Sequence, residues 1–163
     1  AITTNSTFDG VDIATRDGIL TSTTTTANAA LPKAGGAMTG DINAADNVIG
    51  FDNESQTSSG TVDVHFWQTG NKQTLVTNGT VTTLRLHFPA VSCNVLLVVN
   101  YGGVHTIATP AGYEGTGTGT AATIKWAGGT EPTWTETSGK YDIMSFFYDA
   151  DTNIAYGVAS LNF

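Results

Sequence analysis

From residue 59 onward, apolar and polar residues alternate in short runs cut by turn residues about every 8 to 12 positions, a spacing that predicts strands and leaves no room for a long helix. Val62, Val64 and Phe66 alternate with Asp63, His65 and Trp67. Leu84, Leu86 and Phe88 should face one way, and Thr83, Arg85 and His87 the other, until Pro89 ends the strand. Gln73 to Thr77 runs into Asn78-Gly79, a strong hairpin signal. Asn94 to Tyr101 is a continuous apolar run, as in a strand covered on both faces. Gly102-Gly103 then turns the chain into a strand over Val104 to Thr109, followed by a glycine-rich loop from Pro110 to Gly119. Ala122, Ile124 and Trp126 alternate with Thr123 and Lys125 before a turn at Gly128-Gly129. Thr133 to Thr137 should be a polar edge strand, and Tyr141 to Tyr148 with Ile154 to Phe163 a closing hairpin. The expected architecture over 59–163 is all-β, a β-sandwich or jelly-roll-like head. Its core should hold Leu84, Leu86, Phe88, Val95, Leu97, Ile124, Ile143 and Phe147.

Residues 1–58 differ. They hold only Phe8 and Phe51 as aromatics, amid Thr, Asn, Ala and Gly. Phe8, Val11 and Ile13 could edge a short strand around Asp9-Gly10. Ile13, Leu20, Ala27 and Ala34 recur every seven residues, but the β-branched run Thr21 to Thr26 disfavours an isolated helix and a second apolar stripe is missing. Leu31 to Ile42 carries Gly35, Gly36 and Gly40, which add no side chain and cost backbone entropy when ordered. Such a segment cannot bury enough apolar area alone. Wound copies could share a core, so 1–58 is expected to be an extended, intertwined stalk, with a disordered linker as the alternative.

Composition excludes some functions. Six basic against fourteen acidic residues give a net charge of −8 and no basic patch, which argues against nucleic acid as a partner. The longest apolar run, Val95 to Val99, is far shorter than the roughly 20 residues of a spanning helix, so membrane insertion is not expected. Cys93 is the only cysteine, so no intrachain disulfide can form, and it is expected to be buried as a small hydrophobe.

Chemistry-bearing motifs are sparse. Asp149-Ala150-Asp151-Thr152-Asn153 mimics the start of a calcium loop, but Ile154 and Ser160 stand where that loop needs Gly and Glu, and a hairpin turn explains the string as well. His65, His87 and His105 each fall on a strand, where a solvent-facing imidazole is the default. Glu114, Glu131, Glu136 and Asp142 are the carboxylates that a glycan hydrolase would need to pair, and nothing in the spacing pairs them. No catalytic residue, metal or cofactor is expected. The aromatic rings point instead to recognition: Trp126 should be core, while Tyr113, Glu114, Trp67 and Trp134 form the expected receptor-binding set on distal loops and edges.

Five stretches carry a family resemblance. Leu31 to Ile42 reads Leu-Pro-Lys-Ala-Gly-Gly-Ala-Met-Thr-Gly-Asp-Ile, similar to a shaft phrase of phage tail fibre proteins. Leu86-His87-Phe88-Pro89-Ala90-Val91 and Thr123 to Thr130 resemble the middle of such fibres' C-terminal domains, and Asp142 to Asp149 with Ile154 to Phe163 resembles their closing segment. The resemblance implies a homotrimer, located in the virion and acting outside the cell. Its N-terminal region would join other virion proteins, and its head would contact a host-surface glycan or outer-membrane protein. The alternative is a purely structural adaptor or capsid-attached fibre.

Overall fold

A computed structural model describes residues 7–8, 11–29 and 50–163. The chain divides into two units, Ala1–Val48 and Ile49–Phe163. In the first, strands β1 (Thr7–Phe8) and β2 (Val11–Asp12) pair antiparallel, Phe8 with Val11, while Ile13, expected at the edge of the same strand, belongs to a helix instead. Helix α1 (Ile13–Ala29) follows, where an extended stalk was expected. Asp12 starts it: the Thr15 backbone N–H donates to Asp12 Oδ1 at 3.1 Å and the Thr15 hydroxyl to Oδ2 at 2.7 Å, holding the carboxyl below its ordinary range. The seven-residue spacing of Ile13, Leu20 and Ala27 thus falls on a helix, despite its threonines. The Leu31 to Ile42 phrase lies outside the described residues.

The second unit is mostly β. Its strands are β3 (Glu54–His65), β4 (Lys72–Phe88), β5 (Cys93–Tyr101), β6 (Pro110–Glu114), β7 (Thr120–Trp126), β8 (Tyr141–Asp149) and β9 (Ile154–Ser160). This unit takes in residues 49–58, which the sequence assigns to the stalk. The strands run in the hydrogen-bonded order β3-β4-β5-β8-β9-β7-β6, and β6 pairs again with β4. One mixed sheet therefore closes on itself, in place of two separate sheets of a sandwich. A one-turn helix α2 (Phe66–Thr69) joins β3 to β4, where no helix was expected.

The predicted hairpin at Asn78-Gly79 is not formed. Both residues lie inside β4, a single 17-residue strand. Chain reach shows what they do. Lys72 pairs with Leu96, only eight residues beyond Phe88, and eight residues span at most about 29 Å. A straight β4 would hold Lys72 and Phe88 about 53 Å apart. The strand must therefore turn a corner, and its register against β3 shifts between Ser58 and Thr61, opposite Thr77 to Thr83. Before the corner β4 pairs with β5, and after it with β6. Gly79 fits there because a Cβ would sit 2.9 Å from the Cβ of Ser59.

Inside lie Leu84, Leu86, Phe88, Val95 and Leu97, as expected, centred on Phe88, whose ring stacks on Tyr148 at 4.7 Å and on Phe66 at 5.7 Å. Ile124 and Trp126 are half-buried against this core. Phe147 is exposed and Ile143 half-buried, contrary to expectation; on β8 the inward positions are Asp142, Met144, Phe146 and Tyr148. Cys93 is half-buried, and burial pushes its thiol up. β5 is buried on one face only, its other face half-buried. No strand forms over 104–109 beyond an isolated bridge from Ile107 to Val81, nor over 133–137. The β8–β9 hairpin stands where it was predicted, and Asp149 closes its turn by accepting from the Asp151 N–H and the Thr152 hydroxyl. Among the described residues, no helix is long and apolar enough to cross a membrane.

Candidate functional site

Register places one row of rings on the outward face of β3, β4 and β6. His65 pairs with His87 and His87 with Tyr113. These positions have the parity opposite to the core residues Val64, Leu86 and Gly112, so all three side chains leave the core on one face. The ring centroids of His65 and His87 are 4.5 Å apart, and those of His87 and Tyr113 5.6 Å. Trp67 extends the row, its indole edge-on to His65 at 6.1 Å. The result is a continuous strip Trp67–His65–His87–Tyr113, with its middle covered and its ends open: His87 is fully buried, Tyr113 half-buried and Trp67 exposed.

Hydrogen bonds hold both imidazoles of the strip in place. His87 Nδ1 lies 3.0 Å from the Gly115 carbonyl and Nε2 lies 2.8 Å from Asp63 Oδ1. Both partners are acceptors, so the Gly115 carbonyl and the Asp63 carboxylate hold the ring by its two nitrogens. Asp63 also contacts Arg85 Nη1 at 3.4 Å. Burial opposes ionisation of Asp63, but hydrogen bonds from His87 and Arg85 outweigh it and hold the carboxyl below its ordinary range. Next door the Trp67 Nε1–H donates to His65 Nδ1 at 3.2 Å, which requires His65 to carry its proton on Nε2. Burial, then the charge of His87, lowers the His65 pKa and favours that neutral form. One strip thus combines a buried histidine held by the Asp63 carboxylate with a neutral imidazole that orients an exposed indole.

The expected receptor set is split. Trp67 and Tyr113 stand at opposite ends of the strip. Tyr113 and Glu114 are on β6, not on a glycine-rich loop, because the Pro110 to Glu114 backbone pairs with Leu84 to Phe88. Glu114 is turned toward the Tyr148 hydroxyl, 3.3 Å away. Trp134 is half-buried against the core, its Nε1–H donating to Glu131 at 3.1 Å. It is not on an exposed edge. Tyr113 does share an open groove of about 410 Å³ with Trp126 and Glu131. The remaining carboxylates are engaged: Glu136 accepts from the Ile107 N–H, and fully buried Asp142 accepts from the Tyr101 hydroxyl, Thr135 and the Asn162 N–H. Among the described residues, no three His, Cys, Asp or Glu side chains converge as a metal site would require. His87 is buried, not solvent-facing, and its pairing with Asp63 could be found only once the strands were in register.

No known protein family, curated protein or solved structure matches this chain.

Proposed function

We propose that this chain is a non-enzymatic subunit of a virion fibre, of the phage tail type, that recognises a host surface and mediates adsorption. The shaft-like phrase at Leu31 to Ile42 is the observation that carries the reading. A helix whose described side chains are all exposed supports homotrimer formation, since a lone Thr-rich helix of this length is marginal in water. In this reading the N-terminal region is the stalk and joins other virion proteins, and the particle acts outside the cell. The β unit supplies a rigid scaffold. The open ends of its aromatic strip, Trp67 and Tyr113, offer ring area to a host glycan or outer-membrane protein at small entropy cost.

The inward turn of Trp134 and the engagement of Glu114 favour a second reading, a purely structural adaptor or capsid-attached fibre. Binding of the purified protein to host cells separates the two. Trp67→Ala should lower binding while leaving the melting temperature close to that of the wild type, and Tyr113→Ala should do the same with a small loss of stability from its His87 contact. Unchanged binding in both variants, or no binding by the wild type, supports the structural reading.

A further inference from the structure

We infer that the outward face of β5, β8 and β9 is a contact between copies of this chain, a reading that deepens the proposed trimer and rests on it. A sheet with one face in water normally alternates apolar-in and polar-out. Here the outward positions are also apolar: Leu96 and Val98 on β5, Ile143 and Phe147 on β8, Tyr156 and Val158 on β9. Phe147 is 48% exposed, Tyr156 45% and Val158 55%. Register makes the surface continuous, since Ser145 pairs with both Leu96 and Val158, and Phe147 with Tyr156. The Phe147 and Tyr156 rings are near-parallel, with centroids 6.3 Å apart. They border an open groove of about 630 Å³. A contiguous apolar surface of this kind on a soluble domain marks an interaction site.

Charge argues for the occupant. At a net charge of −8, two copies repel over most of their surfaces. None of the eleven residues lining the groove is acidic, and Lys72 is one of them. Lys125 stands beside it, its ammonium 5.9 Å from the Tyr156 ring centroid. Two of the chain's six basic residues therefore sit in or beside a groove lined by no carboxylate, the place on this face where an acidic copy meets least repulsion. An independent observation agrees: Ile19 and Leu20 on α1 are exposed as well, so each unit carries apolar surface that a second copy could cover.

The test measures the mass of the full chain by sedimentation and the acylation rates of Lys72 and Lys125 by mass spectrometry. The expected wild type is a trimer with both lysines protected. Phe147→Glu, and independently Leu96→Asp on the neighbouring strand, should abolish that protection while the β-sheet circular dichroism is retained; two sites guard against one variant failing to fold. A trimer whose lysines react as fast in the wild type as in the variants overturns the contact and leaves the fibre reading standing. A wild-type monomer overturns the contact and the proposed trimer together. Protection that arises only when host polysaccharide is added assigns the face to a glycan and likewise overturns the contact.

Discussion

Two carboxylates, Asp142 and Asp63, and the imidazole of His65 each have a defined response to substitution or pH. Asp142 is fully buried and gathers donors from β5, from the 130–140 segment and from Asn162. Asp142→Asn keeps the shape but replaces one acceptor oxygen by a donor, leaving buried donors unpaired. The expected cost is about 2–4 kcal/mol in denaturant unfolding. Asp142 and Asp63 are both held below the ordinary carboxyl range: burial opposes this, and the hydrogen bonds they accept prevail. Their stabilisation is therefore complete above the unfolded value near 3.8 and is lost as pH falls through the lower folded values. His65 behaves in the same direction at higher pH. Its folded pKa lies below the model-peptide 6.5, so the unfolded chain takes up the proton first and stability declines as pH drops below that value. His65→Gln, which can still accept the Trp67 N–H without titrating, should flatten the decline between about pH 7 and pH 5. Equal slopes in wild type and variant would show that the neutral imidazole contributes nothing.

At the scale of the element, the corner in β4 decides the architecture. A Cβ at Gly79 meets the Cβ and hydroxyl of Ser59, so Gly79→Ala should destabilise by about 1–3 kcal/mol through overpacking. Ser59→Gly removes the obstructing atoms, and the double variant should recover much of the loss, a non-additivity that a thermodynamic cycle measures directly. Additive losses would place the strain elsewhere. Beyond the corner Leu86 has no exposed surface, and Leu86→Ala should cost about 2–5 kcal/mol. Gly157 has a comparable task on β9, because a Cβ there would meet the rings of Phe146 and Trp126.

At the scale of the molecule, the two units should respond differently to dilution. The helix has no buried described side chain, so its helicity, followed by circular dichroism on a 1–48 peptide, should rise with concentration; a concentration-independent helix would remove the need for partner copies. The sequence by itself determined the β character of 59–163, the inward sets of β3 and β4, and the closing hairpin, because period-two alternation and turn chemistry are local. It also placed Trp67 on the face of Asp63 and His65. Three features were decided only by tertiary structure. Asn78-Gly79 suits a tight turn and a strand corner equally well, and the pairing of β4 with β5 and β6 chose the corner. On β8, Ile143, Met144, Phe146, Phe147 and Tyr148 put apolar groups at both parities, so only packing against Phe88 could choose Phe146 and Tyr148 for the core. His87 looks like a surface histidine until register brings Asp63 to one ring nitrogen and the Gly115 carbonyl to the other. Periodicity fixes which residues share a face; it carries no information on which strands lie beside them, and burial and charge pairing depend on those neighbours.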